Sequence, residues 1–180
     1  PWLKEINADL VAFAGRAGRP TRPVYLGRRA MMWRKKNAIY SREQLEGIGA
    51  FLPQFEQPDF SAGKWSEVKK SASGVLFMPT FSPSEAFTAF VDAAYRLGWI
   101  RPDIDWPKWK GTSEAIELRD NEAALAKATP DQLAHLLTTL IRQERFCEGI
   151  LAAAYDSGLL TGIVRRAAQL AAELAEGTSP

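Results

Sequence analysis

A helix-starting motif followed by a long apolar stripe places the strongest constraint on the fold of this chain. Residues 129–132 read Thr-Pro-Asp-Gln, which combines a capping threonine with a proline in the first turn and a glutamine at the third helical position. Ser-Gly at residues 157–158 is a stop signal, so the pattern predicts an amphipathic helix from residue 130 to about Asp156. Its apolar side chains recur at helical spacing: Leu133, Leu137, Leu140, Cys147, Leu151 and Tyr155.

Similar capping signals predict helices in the first half of the chain. Ser41 and Gln44 form a capping box, which predicts a helix that begins near Arg42. Ser82 followed by Pro83 predicts a second helix, with the serine as its cap and the proline in its first turn. Three of the predicted helices therefore begin at a side chain that can accept hydrogen bonds from free backbone N–H groups.

The remaining patterns complete a mainly α fold. Residues 160–176 carry another apolar stripe, which predicts a last helix that Gly177 ends. Residues 64–69 and 75–78 flank a Ser-Ala-Ser-Gly turn and predict one small β-hairpin. Because two strands alone are only marginally stable, we expect the hairpin to lie on the helices. The prediction is one compact domain of about six helices with one small β-hairpin.

Positive charge is concentrated at the N-terminal end of the chain. Residues 1–37 contain nine Lys/Arg and two acids, for a net charge of +7, whereas residues 38–180 contain fourteen Lys/Arg and nineteen acids, for −5. We therefore predict a basic N-terminal arm over residues 1–40 and a helical domain over residues 41–177. The cationic side chains that define the basic arm are Arg16, Arg19, Arg22, Arg28, Arg29, Arg34, Lys35 and Lys36.

A basic segment beside an acidic body has two interpretations. Through residues 1–37 it contacts nucleic acid or an acidic protein surface. Alternatively, it folds against its own acidic domain or against a second copy, which would make the chain a homo-oligomer. The sequence leaves both interpretations open.

Composition excludes several classes of protein. With 46% hydrophobic and 24% charged residues, the chain can bury a core and is not a disordered polymer. Apolar runs stop well short of the ~20 residues that a membrane helix needs, so no membrane contact is predicted. The chain contains one cysteine, Cys147, and one histidine, His135, too few ligands for a Cys/His zinc site. We predict a cytoplasmic protein with no catalytic residue, metal or cofactor.

Acidic side chains interrupt the apolar stripe of the long helix predicted after residue 129. Glu144 falls in the middle of the stripe and Glu148 near its edge. Arg145 lies further round, and Arg142 projects from the opposite side. An ionised carboxylate on a buried face is costly unless it is paired and hydrogen-bonded, so Glu144 requires a partner.

Two interpretations of this interruption remain open. The first is a buried pair, in which Glu144 or Glu148 meets an arginine, such as Arg165 or Arg166 of the last helix, or the indole N–H of a tryptophan. The second is a ligand pocket or an acid–base pair. The candidate residues of this pocket are Arg142, Glu144, Arg145 and Glu148.

Residues 136–149, LLTTLIRQERFCEG, resemble the signature T-x-x-x-R-Q-[DE]-R-F-C-[DE]-G of an uncharacterised bacterial domain family. The likeness covers about residues 43–170 and leaves the basic arm outside. The resemblance implies a shared fold unit, with the motif on a helix that a further helix follows. It implies no activity, substrate or cofactor.

The function predicted from these observations is binding. We predict a non-enzymatic binding or regulatory protein whose basic arm contacts nucleic acid or a protein partner. The alternative is a small enzyme or ligand-binding sensor with a Glu/Arg pocket around Glu144 and Glu148.

Overall fold

The computed structural model of the chain describes residues 40–176, most of which are helical. The mainly α prediction is confirmed, but within this range the helices are shorter and more numerous than predicted. In chain order the elements are α1 (Arg42–Gly49), α2 (Leu52–Phe55), β1 (Gly63–Trp65), β2 (Lys69–Lys70), β3 (Leu76–Phe77), β4 (Phe81–Pro83), α3 (Glu85–Arg96), α4 (Trp106–Trp109), α5 (Ser113–Asp120), α6 (Glu122–Leu125), α7 (Pro130–Glu144), α8 (Ile150–Asp156) and α9 (Leu159–Glu176).

Residues 1–39 of the predicted basic arm, which include its eight cationic side chains, lie outside the described residues. Its partner therefore stays a prediction. Within residues 40–176, no helix is both long and apolar enough to cross a membrane.

The last helix, α9, is the centre of the domain. It packs against α1, α2, α6, α7 and α8, and the side chains on its inner face, including Ile163 and Ala167, are fully buried. The contact with α1 is close, because a Cβ atom at Gly49 would lie 2.8 Å from the Cα of Ala168. Glycine at this position therefore lets the two helix backbones approach.

Two of the three predicted caps are confirmed, and the third is displaced by two residues. Ser41 and Thr129 each cap a helix through a complete capping box. The cap of α3 is Ser84, whose Oγ accepts from the N–H of Phe87 at 3.3 Å, and not Ser82. The reason is a tertiary contact, because Ser82 and Pro83 belong to β4, which pairs with β1.

The four strands lie in one segment, residues 63–83, which we call the β-excursion and which contains two antiparallel ladders. The base of the β-excursion is the ladder of β1 with β4. Its outer part, residues 66–80, contains the ladder of β2 with β3. The base packs on the domain, because Trp65 contacts the Phe81 ring at 5.2 Å and lies against Gly149. The outer part exposes its apolar side chains, so the prediction that the hairpin lies on the helices is wrong there. These exposed side chains are Val68, Val75, Leu76, Phe77 and Met78.

Candidate functional site

The helix predicted to continue to Asp156 ends at Glu144, and α8 begins after a link of residues 145–149. Gly149 breaks the helix, since its φ of 88° lies in the left-handed region that side chains disfavour. A Cβ atom at this position would also collide with the ring of Trp65. The apolar stripe thus belongs to two helices, α7 and α8, which the link of residues 145–149 separates.

The carboxylate of Glu144 binds the backbone at the far end of this link. Its Oε1 accepts a hydrogen bond from the N–H of Gly149 at 2.6 Å, and its Oε2 accepts one from the N–H of Leu151 at 2.8 Å. Free N–H groups at the start of a helix carry partial positive charge, which a carboxylate compensates. The partner that the sequence required for Glu144 is therefore the backbone at the start of α8.

The arginines proposed as partners of Glu144 bind other acids. Arg165 pairs with Glu56 at 2.9 Å, and Arg166 pairs with Glu173 at 2.6 Å. The prediction of an ion pair between Glu144 and either arginine is wrong. The carboxylate is satisfied locally, within seven residues of its own position.

Gly149→Ala is expected to lower the free energy of unfolding by roughly 2 kcal/mol, through backbone strain and displacement of Trp65. Gly158→Ala is the matched control, because Gly158 also has a positive φ of 82° but a Cβ atom added there would meet no other atom within 4 Å. The control is expected to cost roughly 1 kcal/mol, from backbone strain alone. Urea denaturation of both variants measures the difference, and equal losses would contradict the close Trp65 contact.

A groove of about 420 Å³ opens beside the link, between β4, α3 and the facing ends of α7 and α8. Its floor is apolar and is formed by Phe81, Pro83, Phe87, Val91, Ile141 and Leu151. Its polar lining is formed by Thr88, Tyr95, Glu144, Arg145 and Glu148. Three of the four predicted pocket residues therefore border one groove, and Arg142 does not line it. Ligand binding at this groove stays a prediction.

Arg145 is the cation that lines the groove, and its hydrogen-bond partner is an uncharged side chain. Arg145 donates from Nη2 to the hydroxyl of Tyr95 at 2.9 Å, and its guanidinium carbon lies 6.0 Å from the centre of that ring. Among residues 40–176, no ion pair joins Arg145 to a carboxylate. Both Glu144 oxygens accept backbone N–H groups instead, so Glu144 and Arg145 border the same groove without forming an ion pair.

Sequence reasoning missed a second polar cluster, which surrounds Arg101. Its guanidinium donates to Asp103 at 2.9 and 3.0 Å and to Asp131 at 3.1 Å. The bonds to Asp103 raise the pKa of Arg101, and the same guanidinium lowers the pKa of Asp103. The backbone N–H of Arg101 also donates to the buried hydroxyl of Thr138 at 2.9 Å. The cluster therefore ties the loop after α3 to α7.

His135 lies beside this cluster and makes the fold sensitive to acid. Its Nδ1 is buried without a hydrogen-bond partner, and its ring meets Trp109 edge-on at 5.3 Å. Burial lowers the pKa of His135, as does Arg101, whereas Asp131, Glu114 and Asp103 oppose the shift. The fold therefore favours the neutral imidazole.

A depressed histidine pKa in the folded state stabilises the fold above the unfolded pKa of about 6.5, and this stabilisation is lost as the pH falls below it. We expect the urea midpoint to fall between pH 7.5 and about pH 5.5. His135→Gln is expected to reduce this fall, because His135 is the single histidine of the chain. A variant with the same pH dependence as the natural chain would contradict the burial of the imidazole.

Comparison with known proteins gives a family without an activity. The model of a family described as a family of unknown function (DUF6508) matches residues 40–173. The match includes the groove and the Arg101 cluster and leaves the basic arm outside. No curated protein and no solved structure matches the chain.

Proposed function

This chain belongs to the DUF6508 family of unknown function, and on that premise we propose that its domain is a ligand-binding module. The ligand is an amphipathic small molecule, with an apolar body and an anionic group, that occupies the groove. The observation that carries this proposal is the guanidinium of Arg145, which lines a mostly apolar groove and is hydrogen-bonded to the uncharged Tyr95 rather than to a carboxylate.

The size and lining of the groove support a small molecule. Small-molecule sites are commonly concave, of roughly 300–1,000 Å³, and mostly apolar with a few convergent polar groups. The groove has a volume of about 420 Å³ and an aromatic and aliphatic floor. An apolar body would displace water from this floor and gain the free energy of burial.

The hydrogen bonding of Arg145 supports an anionic group on the ligand. The phenol of Tyr95 holds Arg145 in place and leaves most of its N–H donors available. Arginine binds carboxylates and phosphates through two parallel hydrogen bonds, which suits a site that recognises such a group. Two carboxylates also border the groove. Glu144 accepts the backbone N–H groups of Gly149 and Leu151, and Glu148 is exposed to solvent, as Arg145 is.

Calorimetric titration with decanoate and decanol tests the proposal, because the two probes share an alkyl chain and differ in charge. We expect the natural chain to bind decanoate roughly tenfold more tightly than decanol. Arg145→Met keeps an unbranched side chain and removes the guanidinium charge, so it is expected to abolish the preference for decanoate. Arg42→Met is the matched control, because Arg42 lies on α1 and does not line the groove.

Two results would contradict the proposal. One is the absence of saturable binding of either probe to the natural chain. The other is a preference for decanoate that survives Arg145→Met, since the anion would then be bound elsewhere.

A second candidate function is the binding of a polyanion by the basic arm, and the net charge of +7 over residues 1–37 favours it. Affinity for duplex DNA would then fall steeply with salt. Replacing three arginines of the arm by glutamine is expected to reduce the slope of log K against log salt by about 2 to 3. The control replaces three lysines of the β-excursion by glutamine, and equal slopes in both variants would contradict a specific role of the arm. The arginines are Arg16, Arg19 and Arg22, and the lysines are Lys64, Lys69 and Lys70.

A further inference from the structure

The link between α7 and α8 holds a large aromatic side chain in solvent. Phe146 is 74% exposed. Its backbone is fixed, because the N–H groups of Phe146 and Cys147 both donate to the carbonyl of Gln143, at 2.9 and 3.0 Å. The Glu144 carboxylate fixes the other end of the link. The ring is therefore presented by an ordered backbone, and packing of the core does not explain its position.

Aromatic rings and cations surround Phe146. Its ring stacks on Trp106, with centroids 6.1 Å apart and planes at 26°. The Nζ of Lys110 lies 5.8 Å from the Trp106 ring on that side. On the other side, Arg145 precedes Phe146 in the chain and contacts the half-exposed ring of Tyr95. We call these five residues the aromatic–cationic strip: Tyr95, Arg145, Phe146, Trp106 and Lys110.

We propose that the aromatic–cationic strip binds single-stranded nucleic acid. Unpaired bases stack on exposed aromatic rings, and neighbouring cations neutralise the phosphates between them. The strip offers three aromatic rings and two cations side by side, and Arg142 adds a further cation one turn before Phe146. Protein interfaces are also enriched in aromatic residues and arginine, but they are depleted of lysine, so Lys110 favours a nucleic acid over a protein partner. The strip shares Tyr95 and Arg145 with the polar lining of the groove and contains none of the residues of its apolar floor.

Stacking is distinguished from simple charge attraction by comparing two polyanions with the full-length chain. Fluorescence anisotropy measures binding of a labelled oligothymidylate of about 15 nucleotides, and competition measures binding of dextran sulfate, which has no bases. Phe146→Ala is expected to weaken oligothymidylate binding roughly tenfold and to leave dextran sulfate binding unchanged. Phe146→Tyr keeps an aromatic ring and is expected to retain most of the affinity.

Met78→Ala is the matched control, because it removes an apolar side chain that is 86% exposed on the outer β-excursion. It is expected to leave both affinities unchanged. The proposal is overturned if the natural chain does not bind oligothymidylate, or if Phe146→Ala leaves that binding intact. It is also overturned if Phe146→Ala weakens binding of both polyanions equally, since charge and not stacking would then account for it.

Discussion

Trp99→Ala is expected to lower the free energy of unfolding by about 4 kcal/mol. Trp99 is fully buried, its indole N–H donates to the carbonyl of Gln44 at 3.1 Å, and its ring lies 4.8 Å from that of Tyr40. Truncation removes the largest side chain at the junction of α1 with the loop after α3, and it leaves a cavity that rigid helices cannot close. Urea denaturation followed by circular dichroism measures the loss.

Trp99→Phe separates the ring from its hydrogen bond. Phenylalanine keeps most of the apolar volume and removes the indole N–H, so we expect a smaller loss of about 2 kcal/mol. A loss below about 1 kcal/mol for Trp99→Ala would show that the site is not packed as the structure describes.

Glu144→Ala is expected to cost about 3 kcal/mol, because it leaves two N–H groups at the start of α8 without their acceptor. Both belong to buried residues, Gly149 and Leu151, so neither N–H gains full hydration in compensation. Glu144→Gln is expected to lose about half as much, since an amide oxygen can accept only part of what two carboxylate oxygens accept.

Glu148→Ala is the control for this prediction. Glu148 lies in the same link and carries the same charge, but its side chain is exposed and no hydrogen bond within residues 40–176 depends on it. We expect its loss to change stability by less than about 0.5 kcal/mol. If the two alanine variants lost equal stability in urea, the capping role of Glu144 would be wrong.

Local signals in the sequence located the helix starts that depend on a single turn. Ser41 and Thr129 were identified correctly, because the capping box involves only residues three apart. Ser82 and Ser84 fit the same signal, and only the pairing of β4 with β1 selects between them. That pairing joins residues some twenty positions apart, which a capping motif does not report.

Apolar periodicity could not locate the break between α7 and α8. Cys147 and Leu151 continue the stripe in sequence, whereas Gly149 interrupts it through a positive φ that the Trp65 ring reinforces from a distant strand. The requirement of a partner for Glu144 was predictable from the cost of burying charge. Its identity was not, because a backbone N–H five residues ahead has no sequence signature.

The groove was predictable only in part, for the same reason. Arg145 and Glu148 were identified from their position near the acidic interruption, but the apolar floor comes partly from β4 and α3. Tyr95, which holds Arg145, lies fifty residues earlier in the chain. Phe146 stood within the motif, on the side of the predicted helix opposite the apolar stripe, whereas its contact with Trp106 follows only from the tertiary fold.

Titration of the isotope-labelled chain with decanoate, followed by the backbone amide NMR shifts, locates the bound ligand directly. We expect saturable shifts at Val91, Tyr95, Arg145 and Leu151 around the groove, and no saturable shifts at residues 75–78, whose exposed apolar side chains offer the alternative site. Saturable shifts confined to residues 75–78 would contradict the assignment of the groove as the binding site.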